Sequence, residues 1–100
     1  MSDNFGTYIK QIRISNGLPL RKLAADLDID QSTLCKIENG QRKLKEKLLP
    51  RLAKVLKINE KTLKIKYLGS QIAYSLLEEK NALEVLKVAE ETLTQYISEK

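Results

Sequence analysis

Histidine and tryptophan are absent from this chain of 100 residues, cysteine occurs once and proline twice. Each shortage excludes something. Without histidine there is no imidazole metal ligand, no histidine-activated nucleophile and no proton shuttle working near neutral pH. The single Cys35 cannot form an intramolecular disulfide, which fits a reducing compartment, and a cytoplasmic protein is expected. No apolar run approaches the roughly 20 residues that a helix needs to span a bilayer, so no membrane association is expected. The opening MSDNFGTY lacks the basic and apolar regions of a secretory signal. Glycine-rich phosphate loops are missing as well. The pairs Glu78-Glu79 and Glu90-Glu91 have no histidine or cysteine beside them and fall on solvated helix faces. Neither catalysis nor a cofactor or metal is therefore expected.

What is present suits a small helical bundle. Only four glycines and two prolines interrupt the chain, and five aromatics leave a core built from Leu, Ile, Val and Ala. The length allows one domain with one small core. Net charge is +5, and its placement is uneven. Residues 1–68 hold 15 Lys and Arg against 7 Asp and Glu, whereas residues 69–100 hold 3 against 6. A basic front and an acidic back suit a polyanion-binding head, residues 1–68, carrying a tail with a different task, residues 69–100.

The stretch 18–44 organises the rest. Leu23, Ala24 and Leu27 recur at helical spacing, and Leu34 and Ile37 repeat the pattern on a second short element. Asp28-Ile29-Asp30 supplies the break between them. Ala24 is small where the two helices cross, and Ile29 is placed to point inward from the turn. The Asp30 carboxylate is expected to cap the second helix by accepting from its first-turn amides. That helix, residues 31–39, carries Gln31, Ser32, Thr33 and Lys36 opposite Leu34 and Ile37. The reading is a helix-turn-helix with a polar, hydrogen-bonding outer face.

The run LRKLAADLDIDQSTLCKIENGQRK, residues 20–43, resembles the Cro/CI (XRE) family of phage and bacterial repressors. The alanine, the turn, the polar triplet and the IENG ending all stand at the family's separations. Two positions depart from it. Leu20 replaces a glutamine that in many members braces the recognition helix and touches phosphate, and Asp28 replaces the usual turn glycine. Aspartate tolerates a left-handed backbone better than most residues. The resemblance implies an all-α fold, a five-helix lambda-repressor-like DNA-binding head. It makes Gln31, Ser32, Thr33 and Lys36 base-reading positions and Asn39 a phosphate contact. It also implies an ion pair between Arg13 and Glu38 that fixes the first helix against the third.

The remaining elements fill in around this motif. Residues 1–4 read as a frayed end or short arm. A first helix over 5–15 buries Phe5, Ile9 and Ile12 and stops at Asn16-Gly17. Pro19 suits the start of a helix over 20–27. Residues 45–49 read as a loop or single turn before a helix that opens at Pro50, and Asn59 caps a fifth helix over 60–68. Gly69-Ser70 is expected to open a separate helix over 71–79. A break at Lys80-Asn81 then leads to a helix over 82–98. In that last helix Ala82, Leu86, Ala89, Leu93 and Tyr96 are spaced 4, 3, 4, 3, as in a coiled-coil seam. This C-terminal helical pair is expected to dimerise through Leu76, Leu83, Leu86, Ala89, Leu93 and Tyr96.

Double-stranded DNA is the expected partner, with Arg21, Lys22, Arg42 and Lys43 joining Asn39 on phosphate. The resulting expectation is a homodimeric transcriptional regulator, a repressor or autoregulator at a palindrome, without an evident small-molecule effector. The alternatives are an antitoxin whose C-terminal helices bind a toxin, and a protein-binding module that keeps the fold without reading DNA.

Overall fold

The computed structural model describes residues 4–99, which form six α-helices and no strand among the described residues. The arm expected at residues 1–4 lies outside the described residues except for Asn4, which already belongs to the first helix. Helix α1 spans Asn4–Ser15 and turns Phe5 and Ile9 into the core, with Ile12 packed at its edge. Gly17, at φ +67°, stops it, since a glycine adopts that left-handed backbone without a Cβ clash. Helix α2 (Leu20–Leu27) follows Pro19 and buries Leu23, Ala24 and Leu27.

Between α2 and α3 the chain reverses at Asp28, with φ 57° and ψ 45°. Ile29 N–H returns to the Ala24 carbonyl at 3.0 Å and its side chain packs on the core. Helix α3 spans Gln31–Glu38 and buries Leu34, Ile37 and Glu38. Asp30 takes the extended backbone of an N-cap, but its carboxylate accepts no first-turn hydrogen bond, contrary to expectation. Asp30, Gln31 and Ser32 are all exposed, so water competes on equal terms for both the carboxylate and the amides. Gly40, at φ +77°, ends the element.

A 3-10 turn at Glu46–Leu48 leads into α4 (Leu49–Leu56), with Pro50 in its first turn as expected. Helix α5 spans Glu60–Ser75, and the Asn59 side chain accepts from Thr62 N–H at 3.0 Å. The break expected at Gly69-Ser70 is absent, as is the separate helix over 71–79. Gly69 is exposed, and a solvent-facing glycine costs a helix only about 1 kcal/mol relative to alanine. Ser70 and Gln71 meanwhile continue the inward face begun by Leu63 and Tyr67. The tail therefore begins as an extension of α5. Helix α6 spans Ala82–Ser98, matching the expected bounds.

One core serves α1 to α5. Leu23, Leu27, Leu34, Leu52, Leu56 and Leu63 are fully buried at its centre, each worth about 1.5–3 kcal/mol over an exposed position. The Phe5 and Tyr67 rings meet edge to face at 5.2 Å, joining α1 to α5. Helix α6 contributes no buried residue. The radius of gyration, 15.6 Å, exceeds the roughly 13 Å of a compact chain of this length.

Candidate nucleic-acid interface

Helix α3 is held by its inner face, which leaves the outer one free. Leu34 and Ile37 anchor it in the core, and buried Glu38 meets the Arg13 guanidinium twice, Nε to Oε2 at 2.7 Å and Nη2 to Oε1 at 3.1 Å. Arg13 Nη1 also donates to the Leu18 carbonyl at 2.9 Å. The expected ion pair is present, and it turns the guanidinium inward rather than toward solvent. Gly6, which sequence reasoning passed over, completes the seat. A Cβ there would overlap the Ile37 carbonyl oxygen and lie 2.9 Å from that of Glu38, so glycine lets α1 press against the end of α3. The available signal was a glycine inside an otherwise regular helical pattern.

On the opposite face Ser32 and Lys36 are exposed side by side, with Gln31, exposed in the first turn, and Thr33, half-buried, on either flank about 160° apart. Amide, hydroxyl and ammonium groups such as these can bond the edges of bases. A glutamine amide matches adenine N6 and N7, and a lysine matches guanine O6 and N7. Cys35 is exposed on the same helix, and Asn39 Nδ2 donates to its Sγ at 3.7 Å. Asn39 itself is exposed at the end of the helix.

Exposed cations stand on the neighbouring segments. Arg21 and Lys22 are exposed at the start of α2, where Lys22 pairs with Asp26 at 3.2 Å. An exposed i,i+4 pair of this kind is worth only about 0.3–0.5 kcal/mol and yields readily to a competing anion. Arg42 and Lys43 are exposed in the segment that follows Gly40. That segment is pinned by buried Leu44, whose carbonyl accepts from the Tyr67 hydroxyl at 2.5 Å.

Between the α2–α3 turn and α4 runs an open groove lined by Arg42, Lys43, Lys45, Lys47 and Arg51, with Asp28 and Asp30 across from them. Lys45, Lys47 and Arg51 extend the basic border beyond the residues that sequence reasoning named. For the two lysines the signal was the alternation KLKEK, in which Leu44 faces the core and the lysines on either side of it face away.

Among the described residues no His, Cys, Asp or Glu cluster could hold a metal, and no helix is long and apolar enough to cross a membrane. Residues 9–63 match the helix-turn-helix family model. Among solved structures, the restriction-modification controller protein C.AhdI from Aeromonas hydrophila is similar, at 30% identity and a TM-score of 0.56. That match covers 61% of this chain and 92% of the controller. The clp gene regulator ClgR from Corynebacterium glutamicum shares the fold at 21% identity and a TM-score of 0.59, over 95% of this chain and 87% of ClgR. No curated protein matches the chain.

Proposed function

The chain belongs to the helix-turn-helix family, of the XRE type that its LAADLDIDQSTLCKIENG run resembles, and from that premise we propose that it is a sequence-specific DNA-binding transcriptional regulator. One observation carries the reading. The outer face of α3 presents Gln31, Ser32 and Lys36 to solvent while the inner face is fixed by Leu34, Ile37 and the Arg13–Glu38 pair. A rigid element with an unused polar face is what major-groove recognition requires.

In this reading the start of α3 enters the major groove. Gln31 pairs with adenine, Lys36 with guanine or a phosphate, and Ser32 and Thr33 bond base edges, with the Thr33 methyl available to a thymine methyl. Arg21, Lys22, Arg42 and Lys43 neutralise phosphates on either side, and Asn39 adds a neutral contact. Four such cations give a salt slope of about −3.6 per head, and about −7 for two heads on one site.

A single head of this size reads few base pairs, so the regulator acts as a homodimer on a palindrome with half-sites roughly 34 Å apart. Residues 1–68 form the DNA-binding head, and residues 69–100 supply the dimer contact through Leu76, Leu83, Leu86, Ala89, Leu93 and Tyr96. Leu83, Leu93 and Tyr96 are 82%, 59% and 62% exposed in the single chain, which is the state expected of a seam awaiting its partner. Repression, including repression of its own gene, follows if the site overlaps a promoter. C.AhdI, a restriction-modification controller protein, is one regulator to which this chain is similar.

The test is selection from random duplexes followed by sedimentation of the pure protein, alone and with the selected DNA. Recovery of a palindrome bound by two copies supports the proposal. A chain that enriches no sequence refutes it.

A further inference from the structure

Helix α5 has two apolar faces on roughly opposite sides. Leu63 and Tyr67 point into the core. At about 100° per residue, Ile65, Leu68 and Ile72 fall on the far side, spaced 3 and 4, and Leu76, which caps the helix, continues the line. Ile65 is 63% exposed and Ile72 53%, while Leu68 is 39% exposed and Leu76 half-buried, so the single chain leaves most of this face open. A globular helix needs one apolar stripe, and a second one marks a second partner. Helix α6 has the matching deficit, with an apolar stripe through Leu86, Leu93 and Tyr96 and no buried residue of its own.

We propose that the outward face of α5 is the docking surface for α6 of a second copy, so that two chains exchange their last helices. The inference rests on the homodimer reading and specifies its geometry. Three observations favour it over α6 pairing with α6. First, α6–α6 contact would leave Ile65, Leu68 and Ile72 bare on both copies, whereas exchange covers both faces, twice, by the two-fold symmetry of an isologous dimer. Second, charge is complementary. Exposed Lys61 and Lys64 border the α5 face, Lys64 also reaching Glu46 at 3.8 Å, and Glu90 borders the α6 stripe, whereas Glu84 and Glu91 fall on the other side of α6. Third, the lengths agree. The α5 face from Ile65 to Leu76 runs about 17 Å, and the α6 stripe from Ala82 to Tyr96 about 21 Å. Gly69 borders the α5 face with nothing within 4 Å of where its Cβ would lie, which leaves room for close approach.

The experiment is disulfide trapping in full-length Cys35→Ser chains. A chain carrying Ile72→Cys is mixed with one carrying Leu86→Cys, and separately with one carrying Leu93→Cys, so that both ends of α6 are sampled. The expected result is a mixed disulfide dimer in one of the two mixtures. Dimers linked only between α6 cysteines, with no mixed product, would overturn the exchange and leave the homodimer standing. A wild-type chain that sediments as a monomer would overturn both. As a check independent of crosslinking, Ile72→Asp should convert the dimer to monomer as fully as Leu86→Asp does. An Ile72→Asp chain that stays dimeric while Leu86→Asp does not would also refute the exchange. Both positions are exposed in the single chain, so circular dichroism of either variant should match the wild type.

Discussion

Arg13 and Glu38 lie 25 residues apart in sequence and are joined by two hydrogen bonds between one guanidinium and one carboxylate. The side chains are 11% and 3% exposed, so neither charge has water to fall back on. A third bond, from Arg13 to the Leu18 carbonyl, ties the α1–α2 connection into the same point. The pair therefore sets the orientation of α3 relative to α1, and its energetic role is asymmetric. Forming it offsets a large desolvation cost, while removing one member strands the other.

Arg13→Ala should accordingly lower stability by about 3–5 kcal/mol, because Glu38 is left buried and unpaired. Glu38→Ala should cost less, since the guanidinium lies closer to solvent and keeps its bond to Leu18. The paired replacement Arg13→Met with Glu38→Leu should recover much of the loss. Urea denaturation of the four chains checks the order. Equal losses from both single variants would count against a buried pair.

Gly6→Ala should destabilise by about 1–3 kcal/mol even though alanine is the better helix former by up to about 1 kcal/mol. The added Cβ meets backbone carbonyls at Ile37 and Glu38, which cannot rotate away as a side chain can. Thermal melting of the variant reads this directly. A raised midpoint would show that α1 and α3 are not pressed together there.

Lys57→Gly should stabilise by about 1 kcal/mol. Lys57 closes α4 at φ 59° and ψ 44°, a left-handed backbone that carries a steric cost for any side chain and almost none for glycine. Ile58 N–H returns to the Ala53 carbonyl at 2.9 Å, a bond that depends on that backbone and not on the lysine. Chemical denaturation should show a higher midpoint with an unchanged slope.

On the proposed operator, Gln31→Ala should cost about 1–3 kcal/mol and relax preference at one base pair. Lys43→Ala should weaken all sequences alike and reduce the salt slope by about one. Binding titrations over a range of salt on matched and mismatched duplexes separate the two. Identical, salt-independent effects would show that these residues do not divide the work between base and backbone.

The helix-turn-helix was legible because its signals are local. Leu23, Ala24, Leu27, Leu34 and Ile37 report one buried stripe through a turn, and α2 begins and ends at the expected residues. Asp28 was readable as a left-handed turn residue because the motif demands one there. Lys57 occupies the same backbone region without any such motif, and nothing in its chemistry announces it. The contact of Gly6 with α3 depends on packing between distant segments, which periodicity does not encode. At Gly69 a local preference for a break lost to the helix on either side, a small penalty set against continuing hydrogen bonds. The place of Lys45, Lys47 and Arg51 in the groove beside α3 required knowing how the segment after Gly40 folds toward α4.

The unbroken course of α5 through Gly69 makes it a keyed shaft. Its middle is locked to the segment carrying Arg42 and Lys43 through the Tyr67 bond to Leu44, and its far end leads into the tail. Torsion applied at one end is transmitted to the other, because a helix does not swivel about its own axis. The angle between a head and its tail is thus set by residue count. One residue inserted at position 69 would turn the tail by about 100° and advance it about 1.5 Å, sending Ile72 and Leu76 out of line with Ile65 and Leu68. Seven inserted residues, close to two full turns, would bring the faces back into phase and move the tail about 10 Å farther from the DNA-reading helix.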